Sequence, residues 1–316
     1  MEPVLACIGG SAAYRLLCEG AFVGERLGPQ QTPFGESQPI YLCRGRFGEF
    51  YFLSRHGDHL CEMAPCGINF RANIYALKDL GVRSIVSWSS TRAISHNYRI
   101  GEYAIASDLI DETRSRAVTM FPRLGLGDVR QWPVFCPSLG KALGATLEVE
   151  ECEFKPDGVY VCIEGPRRAT PAEVRKYGSF GGELLGATLA PEVFLAKELQ
   201  MCYAALCYVT SYAENGSDFR PFENGRVLDV DTERSRAQSA VERFPRILER
   251  LCEQITHTPS ICRCDSLMQH HIDAGHIGTD WRTWFDDQLL AAPPARQDDQ
   301  NYVDPYVRRR ENSYIR

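Results

Sequence analysis

Short apolar runs alternate with amphipathic stretches along most of the chain, and this alternation gives the first structural reading. PVLACIGGS, near the N-terminus, predicts a strand that ends in a Gly-Gly-Ser turn. IYLCRGRFGEFYFLSRHG predicts two strands with a glycine turn between them. NFRANIYALKDLGV places Ile74, Leu77 and Leu80 at helical spacing ahead of Gly81, a C-cap signal. RSIVSWS is again a strand, and YAIASDLID is another apolar run. LEVEECEF and GVYVCIEG predict a strand pair across Pro-Asp-Gly, and PAEVRKYG a short helix begun by proline. PEVFLAKELQMCYAALCYVTSYA predicts a helix, a small break and a strand ending at Thr210. From Asp229 to Ile255 the pattern is that of a long amphipathic helix interrupted at Pro245. Alternating strands and helices predict a single α/β domain around a central, mostly buried sheet.

Composition narrows the function classes. The chain has 316 residues, 44% hydrophobic and 24% charged, as an ordinary globular protein has. A net charge of -6 argues against a nucleic-acid binder, which needs a basic face. No run approaches the roughly 18–20 apolar residues of a membrane helix, and the start carries Glu2 where a signal peptide needs basic residues. The reading is a cytoplasmic protein with neither nucleic-acid nor membrane partners. Thirteen cysteines, mostly in apolar runs such as MCYAALCYV, read as small buried hydrophobes rather than a disulfide framework. Residues 1–256 form the predicted domain. Residues 257–316 read as a C-terminal helix and an extended polar arm, AAPPARQDDQNYVDPYVRRRENSYIR, with no independent fold.

Seven segments, in order, carry a family resemblance: IGGS, TPFGES, FLSRHG, INFRANIYALKDLGV, FCP, IEGPR and TLAPEVFLAKELQMCYAALCYVT. Together they resemble the methylthioadenosine phosphorylase branch of the purine nucleoside phosphorylase family. The resemblance implies a nucleoside phosphorylase-like α/β domain whose central twisted mixed sheet, flanked by helices, is partly barrel-like. It also implies a homotrimer or dimer of trimers. The implied reaction is cleavage of a nucleoside N-glycosidic bond by inorganic phosphate, giving free base and pentose 1-phosphate, with phosphate as co-substrate and no cofactor. Such chemistry passes through an oxocarbenium-like sugar, so the protein must hold an anion and stabilise the departing base. By resemblance, Ser11, Arg55, His56, Ser89 and Thr188 match phosphate-binding positions, and each has a suitable donor. Glu192 matches a glutamate in the family's PE step, where a helix-start role after Pro191 serves equally well.

Around the base the chain departs from the family. Relatives acting on 6-aminopurines carry TDYD where this chain has Ser211 and Ala213 in place of the two aspartates. Serine cannot act as an acid near neutral pH, so the pair leans away from adenine nucleosides. A phenylalanine expected after EGPR is replaced by Arg168, a methionine before the threonine by Ala187, and a glycine in the SASAVGSL segment by Arg92. Trp88 also stands among residues expected to be small. These substitutions predict a pentosyltransferase of altered base specificity, with an anionic substrate group as one match for Arg92 or Arg168. The alternatives are a nucleosidase that uses water and a catalytically silent binding or structural subunit. Near the end, ICRCDSLMQHH offers Cys262, Cys264, His270 and His271. The spacing lacks the Cys-x2-Cys of common zinc sites, and no metal is assigned. A similar Cys-x-Cys in some thermophilic relatives implies packing of a C-terminal helix or a redox-labile staple.

Overall fold

The structure, a computed structural model, describes residues 4–46, 48–58, 63–213, 222–223, 226–227, 229–257 and 261–285. The polar arm predicted from residue 291 onward lies outside the described residues. In chain order the strands are β1 (Leu5–Gly9), β2 (Gly24–Gly28), β3 (Gln31–Thr32), β4 (Gly35–Glu36), β5 (Ile40–Gly45), β6 (Gly48–Ser54), β7 (Ser84–Ala93), β8 (Tyr103–Glu112), β9 (Phe154–Ile163), β10 (Leu184–Gly186), β11 (Cys202–Tyr212), β12 (Phe222–Glu223) and β13 (Arg226–Val227). The helices are α1 (Ser11–Cys18), α2 (Phe70–Asp79), α3 (Pro137–Val149), α4 (Pro171–Ser179), α5 (Glu192–Glu198), α6 (Val230–Glu242), α7 (Phe244–His257) and α8 (Gln269–Asp273).

The main sheet runs β10-β9-β8-β11-β7-β1-β6-β5-β2, and β10 pairs a second time, with β7. That extra pairing closes β7, β11, β8, β9 and β10 into a small ring, the barrel-like part of a mixed sheet. β6, β1, β7 and β11 are mutually parallel neighbours, so their C-terminal ends share one edge. In open α/β sheets this edge is where ligands bind.

Residues alternate across the strands and supply one core on each face. Ile8 and Ile85 face a cluster with Phe70, Ile74 and Leu77 of α2 and Val193 and Leu195 of α5. Cys7 and Val86 face a second cluster with α1, α3, α6 and α7. In α7, Ile247, Leu248 and Leu251 are fully buried, each stabilising the fold by roughly 1.5–3 kcal/mol. Met268, Ile277, Trp284 and Phe285 join the first cluster, so the segment after α7 packs on the same core.

The helix predicted from NFRANIYALKDLGV forms over Phe70–Asp79, with the Asn69 side chain accepting from the Ala72 N–H. The predicted Asp229–Ile255 helix is two helices: Asp229 caps the first, and they meet just before Pro245. Two expectations are corrected. LEVEECEF is not a strand paired with GVYVCIEG, because its Leu-Glu-Val ends α3. Leu139, Leu143 and Leu147 lie four apart on the buried face of that helix. Pro156-Asp157-Gly158 is not a hairpin turn either. It lies inside β9, where the pairing with β8 shifts from Lys155 to Gly158, a bulge that leaves Pro156 outside the ladder.

Candidate active site

β1 ends in Gly9, and Gly10 is the N-cap of α1, whose first residue is the half-buried Ser11. A side chain on Gly9 would place its Cβ 2.5 Å from the Phe52 ring and 2.8 Å from Ala13, so only glycine lets the chain turn here. The N–H groups opening α1 have no partner within the helix and make an anion-binding end.

Arg55, at the end of β6, is 1% exposed. Its Nε donates to Glu192 Oε1 at 2.6 Å, and its Nη2 to Glu192 Oε2 at 3.1 Å, Ser87 Oγ at 2.7 Å and the Ile8 carbonyl at 3.2 Å. Burial alone would lower the guanidinium's pKa, but the Glu192 carboxylate holds it above the ordinary value. The guanidinium that the resemblance assigns to phosphate therefore turns two of its nitrogens to a protein carboxylate. The third nitrogen, Nη1, lies toward the glycine turn, 3.9 Å from where a Gly10 Cβ would sit. His56 is beside it. Its Nδ1 contacts the Met63 carbonyl at 2.9 Å, which makes Nδ1 the donor and leaves Nε2 facing Gly10. Burial, then the Arg55 charge, push this imidazole below its usual pKa.

A chain of hydroxyls completes this side. Ser87 Oγ is 3.0 Å from Ser89 Oγ, which is 3.0 Å from Thr188 Oγ1, which is 3.2 Å from the Tyr160 hydroxyl. Gly186 permits that last contact, because a Cβ there would lie 2.0 Å from the Tyr160 oxygen. The structure thus gathers Ser11, Arg55, His56, Ser89 and Thr188 around one edge of the sheet.

From His56 and Thr188 a cavity of about 280 Å³ opens, lined by Pro65, Ser90–Arg92, Ile163, Gly165–Arg167, Leu185–Ala187 and Thr210. Arg92 and Ala187 lie on its wall, as the sequence reading placed them. Arg168 does not: it is exposed, and its neighbour Arg167 lines the cavity while pairing with Glu173 at 2.6 Å. Ser211 is half-buried and pairs in register with Arg92, across from Leu185 on the other side. A bulge at Thr210 shifts the β7–β11 register and turns Thr210 onto the wall in place of Ser211. Ala213 packs with Ile94, Val161 and Leu185 in a third apolar cluster. Trp88 is corrected outright. With period two along β7 it points away from Ser87 and Ser89 into the second core cluster, its ring 4.7 Å from that of Phe244.

Comparison with known proteins decides the family. Residues 5–253 match the model of the phosphorylase superfamily. The chain belongs to the phosphorylase superfamily. It is 35% identical to a 6-oxopurine nucleoside phosphorylase of Pyrococcus furiosus, over 74% of this chain and 88% of that one. It is 30% identical to a probable S-methyl-5'-thioinosine phosphorylase of Methanothermobacter thermautotrophicus, over 85% and 99%. A methylthioadenosine phosphorylase from an antarctic soil metagenomic library is similar in structure, with a TM-score of 0.73 at 27% identity, covering 91% of this chain and 98% of that one. This superfamily member is an enzyme of the nucleoside phosphorylase type, a pentosyltransferase.

At this site the sequence reading left the role of Glu192 open and missed Arg116. Glu192 is fully buried and also accepts from the Tyr203 hydroxyl at 2.8 Å, so it is the counter-ion of Arg55 rather than only a helix-start residue. Arg116, 8% exposed, donates to the carbonyls of Ala187, Ala190, Ile163 and Glu164, tying together the two loops that wall the cavity. Nothing in the local sequence singles out Arg116 or shows that Glu192 pairs with Arg55. The signal lies in buried charges that need partners.

Proposed function

We propose that the enzyme transfers the pentose of a 6-oxopurine nucleoside to inorganic phosphate. The observation that carries this reading is the buried Arg55. Glu192 fixes it, and its remaining Nη1 is aimed at the glycine turn beside His56. A phosphate there takes charge-assisted bonds from Nη1 and from the opening N–H groups of α1, with Ser89 and Thr188 hydroxyls on its other oxygens. The neutral His56 Nε2 accepts from the one P–OH of a phosphate dianion. Held in this way, a phosphate oxygen forms a bond to the anomeric carbon as the C1′–N9 bond breaks and its electron pair leaves with the base.

Base preference rests on donors. Among the described residues lining the cavity there is no carboxylate, whereas Arg92 and Arg167 both line its wall, the second with its guanidinium held by Glu173. A departing 6-oxopurine spreads its negative charge onto O6 and N7, both acceptors, which a guanidinium stabilises without giving up a proton. A 6-amino group is a donor and gains nothing from that wall. The activities named for the similar Pyrococcus furiosus and Methanothermobacter proteins lie on the same 6-oxo side, while other relatives of like identity are named S-methyl-5'-thioadenosine phosphorylases. The built anion site favours phosphate over water as acceptor and argues against a silent subunit. We extend the proposal to a trimeric assembly, checked by light scattering. The function is tested by incubating the protein with inosine, 5′-methylthioinosine, adenosine and methylthioadenosine, with and without phosphate, and measuring free base. Release of hypoxanthine that depends on phosphate supports it; equal release without phosphate removes it.

A further inference from the structure

At the opposite end of β11 from the cavity, four cysteines from three distant segments converge. Cys136 precedes α3, Cys202 opens β11, and Cys262 and Cys264 follow α7. Their four Sγ atoms all lie within 4.8 Å of one another, and Cys202 and Cys262 approach to 3.4 Å. We propose that these four thiolates bind one structural zinc ion that clamps the segment after α7 to the sheet.

The geometry favours a single ion over other uses of the thiols. Four sulfurs bound to zinc at about 2.3 Å stand roughly 3.8 Å apart along every edge of the tetrahedron. The observed cluster is close to that size with no sulfur set apart. Two disulfides would instead leave two tight pairs separated from each other, and a multi-iron cluster needs more room than four mutually close sulfurs leave. The ligand set is soft and complete, which suits a closed structural site rather than a catalytic one. Binding releases the thiol protons, and the four thiolates and the ion together carry two negative charges. The surroundings meet that charge. Cys136 is the N-cap of the 13-residue α3, whose positive end favours a thiolate. Lys197, whose Nζ donates to the Pro133 carbonyl at 2.7 Å, interacts favourably with Cys264.

The histidines that the sequence placed beside Cys262 and Cys264 are not ligands here. His271 turns to His276, their Nδ1 atoms 3.3 Å apart, and neither joins the sulfur cluster. A spacing argument confined to ten residues could not find this site, because half of its ligands lie 60 or more positions earlier.

The test is metal analysis of the full-length protein expressed with zinc supplied, together with X-ray absorption at the zinc edge and mass-spectrometric mapping of the cysteines. The expected result is about one zinc per chain with a shell of four sulfurs near 2.3 Å. Cys18→Ser, an exposed cysteine in α1, keeps the metal, whereas Cys264→Ser loses it. Stripping the wild-type protein with a chelator lowers its Tm. A wild-type protein that is metal-free, that holds iron, or that carries a Cys202–Cys262 disulfide overturns the proposal, as does a zinc shell dominated by nitrogen or oxygen. None of these readouts depends on turnover, so they stand or fall apart from the proposed reaction.

Discussion

At the glycine-turn end of the cavity, Arg55 is 1% exposed and held by Glu192, Ser87 and the Ile8 carbonyl, while at the far end Arg92 is half-buried and Arg167 is exposed. The first arginine is part of the core, fixed before any ligand arrives. The others sit on a wall whose chemistry a single substitution can change. In the proposed reaction the contrast separates the step every substrate shares, holding the attacking anion, from the step that distinguishes substrates, receiving the departing base. Preorganisation is concentrated where charge must be held in low dielectric.

The largest effect expected from breaking this contrast is at Glu192. Glu192→Ala leaves the Arg55 charge buried without its partner and is expected to cost about 3–5 kcal/mol, read as a large drop in Tm. On the open side, Arg92→Ala is expected to leave Tm nearly unchanged. It should lower kcat on a 6-oxopurine nucleoside by about a hundredfold, the scale for loss of one stabilising donor, with the KM for phosphate unaffected.

A second buried carboxylate sharpens the comparison. Glu198 is 3% exposed and accepts from the Met120 N–H at 2.5 Å and the Thr119 hydroxyl at 3.1 Å, with no ion pair among the described residues such as Glu192 makes. Burial raises its pKa from 4.5 to about 7. The unfolded chain therefore releases this proton first, so stability falls as pH rises from 4.5 to about 7 and levels off above that. Glu198→Gln should remove that slope and raise stability at pH 8 by on the order of 2 kcal/mol, measured by denaturant unfolding across pH. His56→Ala, which removes the proposed contact to phosphate and the bond to the Met63 carbonyl, is expected to raise the KM for phosphate by about tenfold with a Tm loss smaller than that of Glu192→Ala. Smallest of all, Ser211→Asp sets a carboxylate in register beside Arg92, where the two pair. It should narrow the preference for 6-oxo over 6-amino substrates by a fewfold, read as a ratio of kcat/KM values.

That these residues share one edge of the sheet was legible because their residue types declare themselves: Gly9-Gly10-Ser11 closing a strand, and Arg55-His56 closing another. What the sequence hid was partnership at long range. Glu192 lies 137 positions from Arg55, and Cys136 and Cys202 lie far from Cys262 and Cys264, so no local window joins them. Where strand polarity decides, residue type misled. Trp88 stands beside Ser87 and Ser89 in sequence but on the opposite face of β7. One bulge at Thr210 exchanged which side chain of the Thr-Ser-Tyr-Ala stretch meets the cavity. The fold fared better, because helical spacing and alternation are local signals. The missed helix α3 carries that spacing plainly in Leu139, Leu143 and Leu147, with a charged tail that imitates a strand.

The central claim is that a rigid anion site serves a base wall built from donors. It is tested most directly by the ratio of phosphate-dependent kcat/KM for inosine and adenosine under identical conditions. The account predicts hypoxanthine release at least about a hundredfold more efficient than adenine release, vanishing when phosphate is withheld. Adenine released as fast as hypoxanthine would contradict it.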